Sequence, residues 1–158
     1  MSKAESSRNT DRRRTLRAFS MQAIYELEFY PAEETEAQLD LFLAAGEQEA
    51  DGEEETSFPV LTEEEKQALK ERILKILSIR EELDRDIAAA SASWKLGRMS
   101  RVDLAILRLA LYELRYDDTV PVKVAINEAV DLAHLYGGDN SYQFVNGVLS
   151  VFAKEADE

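Results

Sequence analysis

Residues 1–17 include six lysines and arginines, and these are the residues of the chain whose chemistry is most readily assigned. They are Lys3, Arg8, Arg12, Arg13, Arg14 and Arg17. An arginine guanidinium donates two parallel hydrogen bonds to a phosphate and stacks on a base. The cluster therefore indicates a binding site for a polyanion. A solvated basic tail is the alternative that the arginines alone leave open.

The rest of the chain carries the opposite charge. The protein has 158 residues and a formal net charge of −13. The segment from Met1 to Arg17 holds six basic and two acidic side chains, a balance of +4, so the chain from Ala18 onward carries −17. Fifteen aspartates and glutamates lie from Glu26 to Glu65, and no lysine or arginine lies between Arg17 and Lys66. This asymmetry favours polyanion binding by the basic segment. The acidic remainder predicts that such binding is local, selective and assisted by a partner.

Candidate residues for catalysis or metal binding are few. The sequence has no cysteine, and its only histidine, His134, precedes a glycine pair and is interpreted as a helix-end or surface residue. Its six glycines form no phosphate-binding loop. Asp117 and Asp118 are interpreted as a solvated turn, and Glu113 and Asn127 as buried, hydrogen-bonded links between helices. We therefore expect no enzymatic activity, no metal and no cofactor.

Length and composition predict a single globular domain. Apolar residues make up 45% of the chain and charged residues 32%, which is a globular mixture. The absence of cysteine agrees with a reducing compartment. No apolar run approaches the ~20 residues that a membrane span needs, and the N-terminus lacks the apolar core of a secretory signal. We expect a cytoplasmic protein that does not enter a membrane.

The element that must position the arginines is an amphipathic helix from residue 10 or 11 to Pro31, preceded by a flexible tail over residues 1–9. Apolar residues at helical spacing form its inward stripe: Leu16, Phe19, Ala23, Leu27 and Tyr30. Arg13, Arg14 and Arg17 then project beside and opposite this stripe, and Arg12 lies near its N-terminal end. The helix would present them as one compact cationic patch.

Helical spacing continues through the rest of the chain, and no strand pattern competes with it. We predict a helix over 33–45 that ends before Gly46, and then an exposed acidic loop over 46–59. A long helix is predicted from the capping pair Thr62 and Glu65 to Ile87, followed by a packed turn with Trp94 and Leu96 that ends at Gly97. A central helix is predicted from the pair Ser100 and Asp103 to Tyr116. Two more helices follow, one after Pro121 that ends at Gly137 and a last one from about Asn140 with Gln143 as its capping partner. These are six or seven helices in an all-α bundle, and its two halves could each form a small bundle.

Three segments in the C-terminal half resemble the bacterial transcription antitermination factor family NusB. They are AILRLALYEL (105–114), VPVKVAINEAVDLA (120–133) and FVNGVL (144–149), in the order and spacing of that family. The N-terminal segment RRRTLRAFSMQAIYELEF (12–29) resembles the arginine-rich opening helix of the family. Residues 31–98 match only in helical pattern.

This resemblance implies a fold and a function. NusB-like proteins are all-helical domains of two sub-bundles without catalytic activity, which would correspond here to residues 10–154. They bind the boxA element of ribosomal RNA transcripts as a heterodimer with NusE, which is also a small-subunit ribosomal protein. The pair brings RNA polymerase into an antitermination complex and supports ribosomal RNA synthesis.

The same resemblance implies which residues form the site. The RNA-binding residues would be Arg12, Arg13, Arg14 and Arg17, and we extend this surface to Lys123. Tyr25 is assigned to the NusE-facing side, with a core tyrosine as the alternative. A helical protein–protein adapter, in which the arginines contact an acidic partner, stays open as a second function. Pairing of two copies of the chain is also open.

Overall fold

A computed structural model describes residues 2–49, 58–92 and 99–156, and all regular structure within them is helical. The seven α-helices are α1 (Lys3–Leu27), α2 (Thr35–Glu49), α3 (Glu63–Ser78), α4 (Arg80–Ala90), α5 (Arg101–Tyr116), α6 (Val122–Tyr136) and α7 (Ser141–Ala156), and a 3-10 turn (Ala32–Glu34) precedes α2. The predicted all-α fold is therefore confirmed. No helix in the described residues is long and apolar enough to cross a membrane.

The chain divides into two compact units, Met1–Lys75 and Ile76–Glu158. In the first unit α1 packs against α2, and the rings of Phe19 and Phe42 lie 4.7 Å apart between them. In the second unit α5 packs against α4, α6 and α7, and its residues 105–111 are all buried. The predicted central position of this helix follows from its nearly continuous apolar surface.

Helix α1 begins well before the predicted start. Ser2 is its N-cap, and its hydroxyl accepts a hydrogen bond from the Glu5 backbone N–H at 3.1 Å while the Glu5 carboxylate accepts from the Ser2 N–H at 3.4 Å. The predicted flexible tail over residues 1–9 is therefore helical from Lys3 onward. At the other end, Tyr30 lies beyond the helix and is exposed, so its assignment to the inward stripe is wrong.

Gly46 does not end α2, because the helix continues to Glu49. A Cβ atom at Gly46 would overlap the backbone carbonyl of Pro59. The glycine is thus required by a close approach of another backbone segment, which also places the rings of Phe42 and Phe58 5.1 Å apart. Of the predicted acidic loop 46–59, residues 46–49 are helical and residues 50–57 lie outside the described part of the chain.

The predicted long helix from Thr62 to Ile87 is two helices. Its start is confirmed, because the Glu65 N–H donates to the Thr62 hydroxyl at 3.1 Å and the Thr62 N–H donates to the Glu65 carboxylate at 3.0 Å. The backbone leaves helical geometry at Ile79, with φ −109° and ψ 17°, so that α3 and α4 are separate. The predicted turn with Trp94, Leu96 and Gly97 lies outside the described residues.

Arg108 and Arg115, which lie seven residues apart on α5, form ion pairs with residues of α4. Arg108 is only 2% exposed and pairs through two hydrogen bonds, of 2.7 and 2.8 Å, with Asp84. Arg115 donates to Asp86 at 2.6 Å. These two ion pairs join α4 to α5.

Three polar positions of the second unit test the sequence predictions. Glu113 is buried as predicted, whereas Asn127 is exposed, because the buried face of α6 runs through Ala125, Ala129, Leu132 and Ala133. Gln143 donates its amide to the Tyr142 hydroxyl at 3.0 Å and does not cap the start of α7. The turn before α7 is instead held by the Gly138 N–H, which donates to the Ser141 hydroxyl at 2.9 Å.

Candidate nucleic-acid interface

The N-terminal half of α1, residues 3–15, lies on the surface of the first unit. Every residue from 2 to 15 is exposed except Arg12, which is partly covered. The buried residues of this helix belong to its C-terminal half, and they are Phe19, Ser20, Met21, Ala23, Ile24 and Leu27. Arg8, Arg12, Arg13 and Arg14 therefore lie on a helical segment that contributes no buried residue to the core.

Arg13, Arg14 and Arg17, which we call the arginine patch, occupy neighbouring positions on this helix. Arg13 and Arg14 are exposed, and Arg17 is half-buried. Residues four apart in a helix lie one above the other, and successive residues point about 100° apart. By helix geometry, Arg13 and Arg17 thus form one edge of the patch and Arg14 widens it. Each guanidinium group can donate two parallel hydrogen bonds to a phosphate.

Arg12 is engaged with the chain itself. Its Nε donates to Glu65 Oε2 at 2.9 Å, and its Nη2 donates to Glu65 Oε1 at 2.7 Å and to the carbonyl oxygen of Val60 at 2.8 Å. This bidentate ion pair between Arg12 and Glu65 joins α1 to the first turn of α3. Sequence reasoning placed Arg12 among the RNA-binding residues, and the partner it missed is 53 residues away along the chain.

The ion pair changes the ionisation of both groups. Hydrogen bonds with Arg12, and to a smaller extent with Thr62, together lower the pKa of Glu65 to about 2, although desolvation by burial raises it. The hydrogen bonds to Glu65 raise the pKa of Arg12. Both groups are therefore charged at neutral pH.

Tyr25 lies at the other end of α1 and is half-buried, so it is not a fully enclosed core tyrosine. Its ring makes an edge-to-face contact with Phe29 at 5.4 Å. Phe29 is 56% exposed and Tyr30 is exposed as well. We call Tyr25, Phe29 and Tyr30 the aromatic patch; the sequence analysis assigned only Tyr25 to a partner-facing surface and placed Tyr30 in the inward stripe. The four-residue spacing from Tyr25 to Phe29 was the signal that could have revealed its second member.

Lys123 is exposed in the first turn of α6. It belongs to the second unit, whereas the arginine patch belongs to the first. Its membership of the same RNA-binding surface stays a prediction.

The groups set aside as non-catalytic have ordinary structural surroundings. His134 is exposed, and its ring stacks on Tyr142 with centroids 4.2 Å apart. The Asp117 carboxylate accepts a hydrogen bond from the Thr119 N–H at 3.1 Å, which is a local turn contact. Within the described residues, no three histidine, cysteine, aspartate or glutamate side chains are grouped so that they could hold a metal ion.

Comparison with known proteins gives a consistent result over most of the chain. The sequence model of the NusB family matches residues 14–154. The transcription antitermination protein NusB of Lachnoclostridium phytofermentans is 42% identical over 138 residues, which cover 87% of this chain and 96% of that protein. The protein of the same name from Acetivibrio thermocellus is 38% identical over 142 residues, covering 90% and 88% of the two chains.

A solved structure supports the same relationship at the level of the fold. The structure of T. maritima NusB superposes on this chain with a TM-score of 0.71 and 31% sequence identity, over 90% of this chain and 91% of that chain. The family match includes Arg14, Arg17, Tyr25 and Lys123 and begins after Arg12 and Arg13. From its sequence and its fold alike, this chain belongs to the NusB family.

Proposed function

We propose that this protein is a non-enzymatic transcription antitermination factor that binds boxA RNA of ribosomal RNA transcripts together with NusE. In this role it joins the antitermination complex of RNA polymerase and supports ribosomal RNA synthesis. The observation that carries the proposal is the arginine patch on α1 of a NusB-family chain. Relatives that are 38–42% identical are named transcription antitermination proteins.

The chemistry of the arginine patch suits a single-stranded RNA. Sequence-specific RNA recognition mostly targets unpaired strands, whose bases can be stacked and hydrogen-bonded. Arg13, Arg14 and Arg17 supply the phosphate contacts and the flat surfaces for stacking, and Lys123 supplies a further phosphate contact. The −17 carried by the rest of the chain repels RNA that does not fit, which makes binding selective.

The aromatic patch is the surface that we assign to NusE. Tyr25 and Phe29 offer large apolar area of the kind that anchors protein interfaces. Acidic residues surround it in sequence, namely Glu26, Glu28, Glu33 and Glu34. This charge is complementary to a basic ribosomal protein and favours its association.

A binding assay with a boxA-containing transcript tests the proposal, run with and without NusE. The triple variant R13A/R14A/R17A is expected to lose RNA binding while its helicity and melting temperature stay unchanged, because the three side chains are not part of the buried core. The control variant K75A/R85A/K154A removes the same number of positive charges from exposed positions elsewhere and is expected to bind as the unaltered protein does. Equal binding by the two triple variants would overturn the assignment of the site.

A protein–protein adapter without direct RNA binding is the alternative, and the exposed aromatic patch favours it. Nuclease treatment separates the two functions. If the protein captures a protein partner equally well after nuclease treatment and no boxA complex forms with the purified components, the adapter is correct. If RNA binds and strengthens the capture of NusE, the antitermination role is correct.

A further inference from the structure

The N-terminal half of α1, residues 3–15, contributes no residue to the buried core. Residues 2–11 and 13–15 are all exposed, and Arg12 alone in this stretch is partly covered. A helical end without packing is marginal in water, because most helical stability in proteins comes from tertiary contacts. Arg13 and Arg14 stand on this segment, so whatever holds it also holds them.

Arg12 supplies a long-range contact for this segment. Its three hydrogen bonds reach Glu65 and the carbonyl oxygen of Val60, at 2.7–2.9 Å. The segment that accepts these hydrogen bonds is itself held in place by other contacts. Glu65 and Thr62 form the reciprocal cap of α3, and Leu61, between Val60 and Thr62, is buried. The guanidinium of Arg12 is therefore anchored to a rigid point of the first unit.

We propose that Arg12 is a positioning residue, which through its ion pair with Glu65 holds the N-terminal half of α1 in the conformation that presents Arg13 and Arg14 to RNA. Glu65, an acidic residue, is then needed for the binding of an anion. This inference rests on the proposed function for its RNA-binding part and on the geometry of the ion pair for its structural part.

The geometry distinguishes positioning from a direct phosphate contact. Nε and Nη2 form an edge of the guanidinium that matches a carboxylate or a phosphate, and in Arg12 both nitrogens already donate to Glu65. An RNA phosphate at this edge would displace Glu65 and would meet its negative charge.

The variant Glu65→Gln tests whether Glu65 acts by positioning α1 or only by its charge, because the two explanations predict opposite changes in RNA affinity. Glutamine is accepted at this position of a capping box, but it removes the negative charge and replaces one acceptor for Arg12 with a donor. On electrostatic grounds alone, loss of a carboxylate near a cationic patch strengthens RNA binding. Positioning predicts instead that boxA RNA binds about 3–10-fold more weakly, because the competent helical conformation becomes less populated.

Thr62→Ala is the matched control for damage to α3. It removes the hydroxyl that caps the helix and keeps both carboxylate oxygens for Arg12. Its melting temperature is expected to fall as for the loss of any helix cap, with RNA affinity unchanged. Tighter or unchanged RNA binding by Glu65→Gln overturns the proposal, and so does an equal loss of affinity in Thr62→Ala.

Two further measurements identify how Arg12 acts. Arg12→Ala is expected to weaken RNA binding at least as much as Glu65→Gln, because it also removes the hydrogen bond to the Val60 carbonyl. The double variant is expected to bind no more weakly than Arg12→Ala, because both changes break one ion pair. The salt dependence of binding is expected to stay unchanged in Arg12→Ala but to fall by about 0.7 in slope in Arg13→Ala, which removes a phosphate contact. Additive losses, or a reduced slope in Arg12→Ala, would show that Arg12 contacts RNA and would overturn the proposal.

Amide hydrogen exchange separates a failure of this inference from a failure of the proposed function. Glu65→Gln is expected to accelerate exchange in residues 3–15 in the absence of RNA. If the unaltered protein binds no boxA RNA and exchange is nevertheless accelerated, the proposed function fails and the ion pair still orders the helix. Unchanged exchange overturns the positioning role whatever the RNA result.

Discussion

Arg12 and Arg13 are neighbours in sequence, yet they differ in what surrounds them. Arg12 is partly covered and binds Glu65, whereas Arg13 is exposed on the next face of the helix. Composition identified the arginine cluster but did not show which arginines are engaged with the protein itself. The partner of Arg12, Glu65, is on another helix, and its position in the sequence is already explained by its role in the capping motif of α3. At the scale of single residues, the sequence predicts which groups could bind RNA, and tertiary structure decides which of them are available.

Glu65 gives a prediction for the acid stability of the protein. The pKa of this carboxyl is lowered to about 2 from an ordinary value of 4.5, chiefly by the Arg12 hydrogen bonds. Since the folded state binds the proton less readily than the unfolded state, the ion pair contributes stability above pH ~4.5 and loses it as the pH falls toward ~2. The difference in unfolding free energy between the unaltered protein and Glu65→Gln should therefore shrink over this interval in denaturant titrations. A difference that is constant from pH 5 to pH 2.5 would contradict the lowered pKa.

Asp84 gives a prediction for the second unit. Asp84→Ala leaves the 2%-exposed guanidinium of Arg108 without the carboxylate that it binds. Breaking a buried ion pair from one side costs about 3–5 kcal/mol, and the partial exposure of Asp84 places the expected loss at the lower end. Asp86→Ala breaks the more exposed pair with Arg115 and should cost less than ~1 kcal/mol. Urea unfolding measures both, and equal losses would contradict the buried character of the Arg108 pair.

The helices as elements were predicted better than their ends. Capping pairs marked the starts of α3 and α5, and the glycine pair marked the end of α6, because these signals are local in sequence. The pair Ser2 and Glu5 carries the same signal, but the polar residues after it have no apolar period, and the first turns of α1 were predicted as a tail. No glycine or proline lies at the break at Ile79, so the sequence pattern does not indicate that the helix ends there. Such boundaries depend on packing that a single sequence does not reveal.

Helix propensity and the tertiary contact at Gly46 predict opposite effects of Gly46→Ala on the stability of the protein. Helix propensity alone predicts that Gly46→Ala stabilises α2 by about 1 kcal/mol. The overlap of the new Cβ with the Pro59 carbonyl predicts destabilisation by about 1–3 kcal/mol, because a backbone segment must move. Thermal or urea unfolding of the variant decides the sign. A stabilised Gly46→Ala would show that Phe58 and Pro59 do not pack closely against the helix.

At the scale of the whole molecule, the uneven distribution of charge is the feature that sequence and structure describe together. The net charge of −13 suggests a protein that avoids nucleic acid, but the +4 of the segment from Met1 to Arg17 stands almost entirely on one exposed helical segment. The fold class, the two sub-bundles and the family were accessible from the sequence because they depend on periodicity and on motifs within single segments. The Arg12–Glu65 and Arg108–Asp84 pairs were not, because each joins residues from different helices.

The same distribution of charge predicts how RNA binding depends on salt. The three to four phosphate contacts that we propose correspond to a slope of log K against log[salt] of about −2 to −3 for a single strand. A slope in this range from binding isotherms at several salt concentrations indicates a small local site. A slope steeper than about −5 would indicate a far larger basic surface than the arginine patch and Lys123 provide.

The most direct test is the affinity of the protein with NusE for a boxA-containing RNA, compared with the affinity of the R13A/R14A/R17A variant. Hydrogen bonds to charged groups contribute about 1.5–3 kcal/mol each, so the loss of three should weaken binding by roughly a hundredfold or more. An RNA of the same length and scrambled sequence should bind weakly to both proteins. Binding of boxA RNA that is equally tight with and without the three arginines would contradict the assignment of this helix as the RNA-binding surface.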